Sequence, residues 1–160
     1  MITQDSIGCR GFSICHGTMT ANENLVCSNT TDGFFNNWIY LYSGSALAGS
    51  EASQTTELTE GTLVDVSQYA NAPIKYVAGN NGAKWLGINP IPTNKRYNAR
   101  LVKGIVTETI GSSDKETFIV CVDGTITCNN VQLQPMQYAR IVNTSKTFDI
   151  NGTGIICIEQ

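Results

Sequence analysis

Two-residue alternation of apolar and polar positions runs through most of this chain. In T-F-I-V-C-V-D-G-T-I-T-C-N-N-V-Q-L-Q-P-M-Q-Y-A-R-I, from Thr117 to Ile141, two alternating runs flank Asp123-Gly124 and a third begins after Pro135. An Asp-Gly pair in that setting predicts a type I′ hairpin, because both central residues need positive φ and Gly supplies one without strain. Asn80-Asn81-Gly82, between P-I-K-Y-V-A and A-K-W-L-G-I, predicts a second hairpin, and Gly111 to Lys115 predicts a further reversal. Strands are expected at 12–16, 24–28, 37–42, 62–66, 74–78, 84–88, 100–110, 116–122, 125–129, 137–142, 147–150 and 154–159. No stretch repeats apolar residues at helical spacing over three turns; the nearest, Val66 to Ala72, is a single turn closed by Pro73.

The expected fold class is therefore all-β: an antiparallel β-sandwich or jelly-roll barrel with very little helix. One domain spanning 1–160 is expected, with 1–13 as an extended N-terminal arm, a mobile Ser/Ala/Gly-rich loop at 43–56 and an extended proline connector at 89–94. No internal repeat can be registered from the letters alone.

Charged residues make up only 14% of the 160, against about 25% in typical domains, and Thr, Asn, Ser and Gly are plentiful. A neutral polar surface of this kind is often partly covered by neighbours, which hints at assembly. The net charge of −3 is unevenly spread: up to Asn71 the only basic residue is Arg10, whereas nine of the ten Lys and Arg follow. Two halves of opposite sign can attract one another between subunits. Lys95, Arg96, Arg100 and Lys103, with Tyr97 as their only aromatic company, are too thin a footprint for nucleic acid. No apolar run approaches the roughly 20 residues of a membrane span, and the amino terminus lacks the layout of a signal peptide, so synthesis in the cytosol is expected.

Cys9, Cys15, Cys27, Cys121, Cys128 and Cys157 contain no Cys-x-x-Cys pair. In the hairpin expected around Asp123-Gly124, Cys121 and Cys128 sit diagonally at about 7–8 Å, too far for a disulfide. Buried free thiols are the expected state, with Cys9–Cys15 as the one pair left open for a bridge. The single histidine, His16, stands beside Cys15, but neighbours on a strand point to opposite faces, so the two make no catalytic dyad.

From Thr117 to Ile158 the turns and spacings resemble the second half of a cupin-type jelly roll. F-I-V-C-V-D-G, T-I-T-C-N-N, V-Q-L-Q-P-M-Q and Y-A-R-I-V follow that family's order, with Leu133 and Pro135 in place but Met136-Gln137 where Gly-Asp usually stands. Catalytic cupins hold a metal through several histidines and a carboxylate, and one histidine excludes such a cage. No cofactor is expected. Paired carboxylates, a phosphate loop and a nucleophile elbow are also missing, Glu57 and Glu60 merely flanking Gly61, so a non-enzymatic chain is expected.

As a class, a small, weakly charged, helix-poor chain of this kind also resembles the decoration or cement proteins of tailed-bacteriophage heads. That likeness implies a virion structural protein on the capsid surface, made in the host cytoplasm, which binds the major capsid protein and itself as a homo-oligomer, without nucleic acid or membrane. The docking elements would be the arm at 1–13, the Trp38, Tyr40, Tyr42 stripe, and the basic group Lys95, Arg96, Arg100. The stripe faces outward if Ile39 and Leu41 form the core side, and is core if both faces are covered. The alternative is a carbohydrate-binding module of a phage fibre or adhesin that stacks sugars on exposed Trp38 or Trp85. A metal-free cupin isomerase or epimerase would need a polar barrel interior, whereas the inward positions read as Ile, Val and Cys.

Overall fold

The computed structural model describes residues 3–9, 12–27, 37–69, 73–90 and 95–160, with side chains described from Ser13 onward apart from Pro90. The described residues carry twelve strands in antiparallel ladders and one 3-10 turn, and they fall into two compact units, Met1–Lys95 and Arg96–Gln160. The division falls near the proline connector expected at 89–94, whose residues 91–94 lie outside the described set.

The first unit contains β1 (Thr3–Cys9), β2 (Phe12–Met19), β3 (Asn24–Cys27), β4 (Trp38–Gly49), β5 (Gln54–Thr59), β6 (Leu63–Asp65) and β7 (Ile74–Pro90). Their order is β1-β2-β7-β4-β5, with β3 continuing along the β7 edge that β2 occupies and β6 lying beside the first part of β4. Ile39, Leu41, Ala46 and Ala48 of β4 join Ile74, Tyr76, Ala78, Ala83 and Trp85 of β7 in one buried cluster. The second unit contains β8 (Tyr97–Ile110), β9 (Thr117–Cys128), β10 (Val131–Leu133), β11 (Tyr138–Ile141) and β12 (Lys146–Glu159), ordered β10-β9-β12-β8 with β11 also on β9. Its cluster is Val102, Ile110, Ile119, Cys121, Ile126, Leu133, Ile141, Phe148, Ile150 and Ile156. Each fully buried Ile among them contributes roughly 1.5–3 kcal/mol.

Asp123-Gly124 is not a hairpin turn. β9 runs straight through it, and Gly124 faces Gly152 of β12, which faces Gly104 of β8, so three adjacent strands carry a row of glycines with φ of 74°, 138° and 106°. The row is a corner. Arg100 and Glu108, eight residues apart on β8, would stand about 26 Å apart on a straight strand. Instead the guanidinium grips the carboxylate through Nη1–Oε1 at 3.0 Å and Nη2–Oε2 at 2.8 Å. A positive-φ glycine serves a bend within a strand as readily as a reversal between strands, and local sequence does not distinguish the two.

Asn80-Asn81-Gly82 repeats the lesson in β7, whose two halves both pair with β4, so the chain bends there and does not turn back. The 43–56 segment is not a loop: β4 continues to Gly49 and β5 begins at Gln54, with inward Ala46 and Ala48 supplying an alternation too small to stand out. The expected arm includes β1, which pairs with β2 from Thr3–Thr18 to Cys9–Phe12. In that register the Cys9 and Cys15 rungs lie three residues, about 10 Å, apart along the ladder, which overturns a bridge between them. The single turn expected before Pro73 is the 3-10 turn Ser67–Tyr69.

The two units repeat one topology. A long bent edge (β2 with β3, or β8) and a long bent strand (β4, or β9) both pair with a third (β7, or β12); two short strands (β5 and β6, or β10 and β11) pair with the halves of the second. Backbone bonds between the short strands repeat as well. Gly61 N to Leu41 O at 2.8 Å, Leu41 N to Thr62 O at 3.3 Å and Thr62 N to Thr59 O at 3.2 Å correspond to Met136 N to Cys121 O, Cys121 N to Gln137 O and Gln137 N to Gln134 O, each at 2.9 Å. Gly61 and Met136 both have φ of 76°.

Met136 therefore occupies a left-handed position where its counterpart, and the cupin pattern, have glycine. A side chain with a Cβ there costs roughly 1–2 kcal/mol. Met136→Gly is expected to stabilise the chain by about 1 kcal/mol after the added unfolded-state entropy of Gly is subtracted, read as a higher urea midpoint with an unchanged m-value. An unchanged or lower midpoint would contradict the strain.

Candidate functional site

The repeat allows the interiors of the two units to be compared position by position. In the second unit the interior is apolar and closed at its edge by the Arg100–Glu108 pair, which lies on the same face of β8 as Val102 and Val106. Gly154 of β12 makes room there: a Cβ added to it would approach Ile126 Cδ1 to 2.9 Å and Ile150 Cδ1 to 3.9 Å.

In the first unit the volumes are exchanged. By ladder partners, Trp85 stands where Gly154 stands, Ala46 and Ala78 replace Ile126 and Ile150, and Gly87 replaces Ile156. The Trp85 ring leans over Gly87, with Cζ3 3.7 Å from where a Gly87 Cβ would be. Trp85 is 6% exposed, and its Nε1 is the one buried side-chain nitrogen or oxygen among the described residues that lacks a hydrogen-bond partner. Buried indole N–H groups ordinarily find an acceptor, and leaving one unmet costs about 1–3 kcal/mol.

Around Trp85 the apolar cluster includes Cys15, Leu25, Cys27, Val64, Tyr69 and Tyr76. Tyr69 Oη and Thr56 Oγ1 are 2.9 Å apart. Burial, with Cys15 nearby, pushes the Cys27 thiol up to about 11; burial, with both thiols nearby, raises Tyr76 well above the ordinary phenol range. Near neutral pH Cys27 and Tyr76 are protonated, so they are hydrogen-bond donors and not nucleophiles. At the positions where the second unit has Arg100 and Glu108, the first has Cys15 and Leu25, which cannot form an ion pair with each other.

A second polar cluster lies within the carboxy-terminal unit. Glu116, 6% exposed, accepts from Tyr97 Oη at 3.2 Å and from Arg140 Nη2 at 2.7 Å, while its own N–H donates to Glu159 Oε2 at 2.8 Å. Burial and the Glu116 charge hold Tyr97 above the usual phenol range. Since the Glu116 carboxylate is matched on both oxygens, the cluster reads as a fastener between Glu116 and the end of β12.

The residues singled out from sequence fare differently. Trp38 and Tyr40 are 4% and 7% exposed, so the stripe is core along most of its length and offers no outward face for a sugar or a partner. Tyr42 is half-buried, edge-on to Tyr40 at 5.2 Å with Lys84 Nζ 5.2 Å from its ring centre. Trp85 is likewise unavailable for surface stacking. Lys95 closes the first unit, and Arg96 and Arg100 belong to the second, where Arg100 is committed to Glu108. Cys121 and Cys157 are buried, Cys27 and Cys128 half-buried, and all four are free thiols. Burial pushes Cys121 up to about 11 and Cys157 to about 12. Trp85 as an unmatched donor escaped sequence reasoning, although the pattern of small residues at 46, 48, 78, 83 and 87 against one Trp was a readable trace of it.

No family model matches the sequence, and no curated protein matches it. Solved structures do resemble it in fold. HutD from Pseudomonas fluorescens matches with a TM-score of 0.67 at 6% identity, covering 100% of both chains. Oxalate decarboxylase from Bacillus subtilis matches with 0.66 at 8% identity, over 98% of this chain and 72% of that one. A Cupin 2 conserved barrel domain protein from Leptotrichia buccalis matches with 0.55 at 8% identity, over 99% and 88%. The fold is thus all-β and cupin-like, as the C-terminal turns suggested. These neighbours are bacterial cupin-domain proteins, which overturns the resemblance to phage-head decoration proteins and the virion keywords with it. They include a decarboxylase, so they lend no support to a chain without catalysis. The metal that cupin enzymes carry does not suit this donor set: His16 is the only histidine, and the described residues contain no group of three His, Cys, Asp or Glu able to hold an ion.

Proposed function

We propose that this chain is a cupin-fold binding protein for a small uncharged molecule, received in the interior of the first unit. The observation that carries this reading is the unmatched Nε1 of Trp85, a donor held ready inside an apolar cluster. An occupant would place a carbonyl or ether oxygen on that N–H. The indole N–H is a neutral donor, so it meets a neutral acceptor without the cost of desolvating a charge. Neighbours of cupin fold support an interior site, and Cys15 and Leu25, standing where the second unit has the Arg100–Glu108 pair, leave that pair's clasp without a counterpart among the described residues.

The chain has two tryptophans, so two indole N–H resonances are expected, assigned by Trp85→Phe. Titration with δ-valerolactam and cyclohexanone should move the Trp85 resonance in a saturable way and leave Trp38 in place, while acetate should move neither. A Trp85 resonance that ignores every neutral acceptor and shows a long-lived bound water would overturn the proposal.

A further inference from the structure

Two rungs of β2 and β7 set the first interior apart from the second. On the inward face Cys15 pairs with Gly87 and Gly17 pairs with Trp85, and the matching places in the second unit hold Arg100, Ile156, Val102 and Gly154. The side chains left on those rungs of the first unit are one thiol and one indole. Diagonal neighbours across a ladder stand about 7–8 Å apart, close enough for one small molecule to touch both. The indole leans toward the Cys15 rung, with Cζ3 3.7 Å from where a Gly87 Cβ would be, and its Nε1 is the unmatched donor of a residue only 6% exposed. Cys15 packs against the same cluster as Trp85 and is itself half-buried, so it is not sealed in the core.

From this juxtaposition we infer that the interior site takes small α,β-unsaturated ketones or aldehydes and that the Cys15 sulfur adds to them. The inference rests on the binding reading above and narrows its ligand to the class a thiol can capture. The carbonyl oxygen accepts from Trp85 Nε1 while the sulfur bonds to the β-carbon. The π pair of the carbon–carbon double bond shifts toward oxygen to give an enolate, and the thiol proton, passed through water, ends on the α-carbon. The product is a saturated thioether; nothing leaves, and no oxidant or reductant takes part. Charge gathers on the oxygen as the sulfur–carbon bond forms, and an N–H fixed in an apolar interior stabilises charge there most.

The other thiols are worse placed. Burial pushes Cys27 and Cys121 up to about 11 and Cys157 up to about 12, so near neutral pH they stay protonated and react slowly. Half-buried Cys128 belongs to the second unit, and both tryptophans of the chain belong to the first. Cys15 has an interaction of its own within the chain, which leaves its sulfur lone pairs in place for addition. A saturated lactam such as δ-valerolactam has the acceptor oxygen and no electrophilic β-carbon, so it competes for Nε1 without forming the adduct.

The test incubates the full chain with 2-cyclohexenone near neutral pH and follows alkylation at each cysteine by peptide mass spectrometry. The rate at Cys15 should saturate with enone concentration and fall about tenfold or more in Trp85→Phe. On the unmodified chain it should also fall when δ-valerolactam is added, a comparison that does not depend on how a variant folds. Cys128 should react in proportion to enone and ignore both changes. A Cys15 rate that rises in simple proportion to enone and is indifferent to δ-valerolactam overturns the inference. In Cys15→Ser the Trp85 indole resonance should still shift saturably with 2-cyclohexenone. That shift without saturable alkylation of the unmodified chain removes the covalent step and keeps the binding reading, whereas a resonance that ignores the enone, the lactam and cyclohexanone removes both.

Discussion

Gly124→Ala should lower stability by about 3 kcal/mol or more, whereas Gly104→Ala, in the same row, should cost only about 1–2 kcal/mol. Both residues have positive φ, 74° and 106°, so the intrinsic strain of adding a Cβ is comparable. What differs is the space. A Cβ on Gly124 would lie 2.0 Å from Asn151 O and 2.9 Å from Gly152 Cα, both backbone atoms fixed by the ladder, while a Cβ on Gly104 meets nothing within 4 Å. Relief at Gly124 therefore requires β9 and β12 to separate where they turn the corner, breaking ladder bonds that hold Ile126 against Ile150. Urea unfolding of the two variants, followed by circular dichroism, measures the difference directly. Equal losses would mean that the glycine row is a matter of φ alone and that the strands do not approach as closely as described.

That corner also marks where the sequence misleads. Alternation, low helix content and the cupin-like order of turns after Thr117 were all legible, because strand periodicity and turn chemistry are written into neighbouring residues. Whether Asp123-Gly124 reverses the chain or bends it depends on where Gly152 and Gly104 come to lie, which is decided by residues tens of positions away. The same holds for Asn80-Asn81-Gly82. Once the strand expected at 37–42 is continued through the segment expected as a loop, and the arms of the expected Asp123-Gly124 hairpin are joined into one bent strand, Y-L-Y-S-G-S-A-L-A and V-C-V-D-G-T-I-T-C become counterparts, and the repeat that no letter-by-letter comparison registers becomes visible. Trp38 and Tyr40 were left open between surface and core for another reason. Burial on one face of a strand follows from alternation, but burial on both faces depends on tertiary packing, and a run of five apolar residues is compatible with either outcome. β5 was lost because Ala46 and Ala48, which pack against it, are too small to make a conspicuous stripe.

The repeat carries a stronger prediction about the interior. Trp85→Gly should cost about 4–6 kcal/mol, the usual loss for emptying a buried tryptophan plus the backbone freedom of glycine. In a chain with an ordinary margin of about 5–15 kcal/mol, that removes much of what keeps the first unit folded. The second unit offers its own remedy: over Gly154 the space is filled by Ile126 and Ile150. Adding Ala46→Ile and Ala78→Ile, which lie on the same rung of β4 and β7 as Ile126 and Ile150 do on β9 and β12, should therefore recover about half of the loss or more. The same two changes beside an intact Trp85 should destabilise, by about 1–3 kcal/mol, because the indole already occupies that volume. Opposite signs for one pair of substitutions in two backgrounds constitute a coupling that no additive account of burial produces. Denaturation midpoints of the wild type, Trp85→Gly, the double isoleucine variant and the triple variant form the complete cycle. A triple variant less stable than Trp85→Gly alone would break the positional equivalence of the two interiors. Rescue would also bear on binding, because the triple variant keeps the core filled while removing Nε1, so it should fold and yet no longer respond to δ-valerolactam.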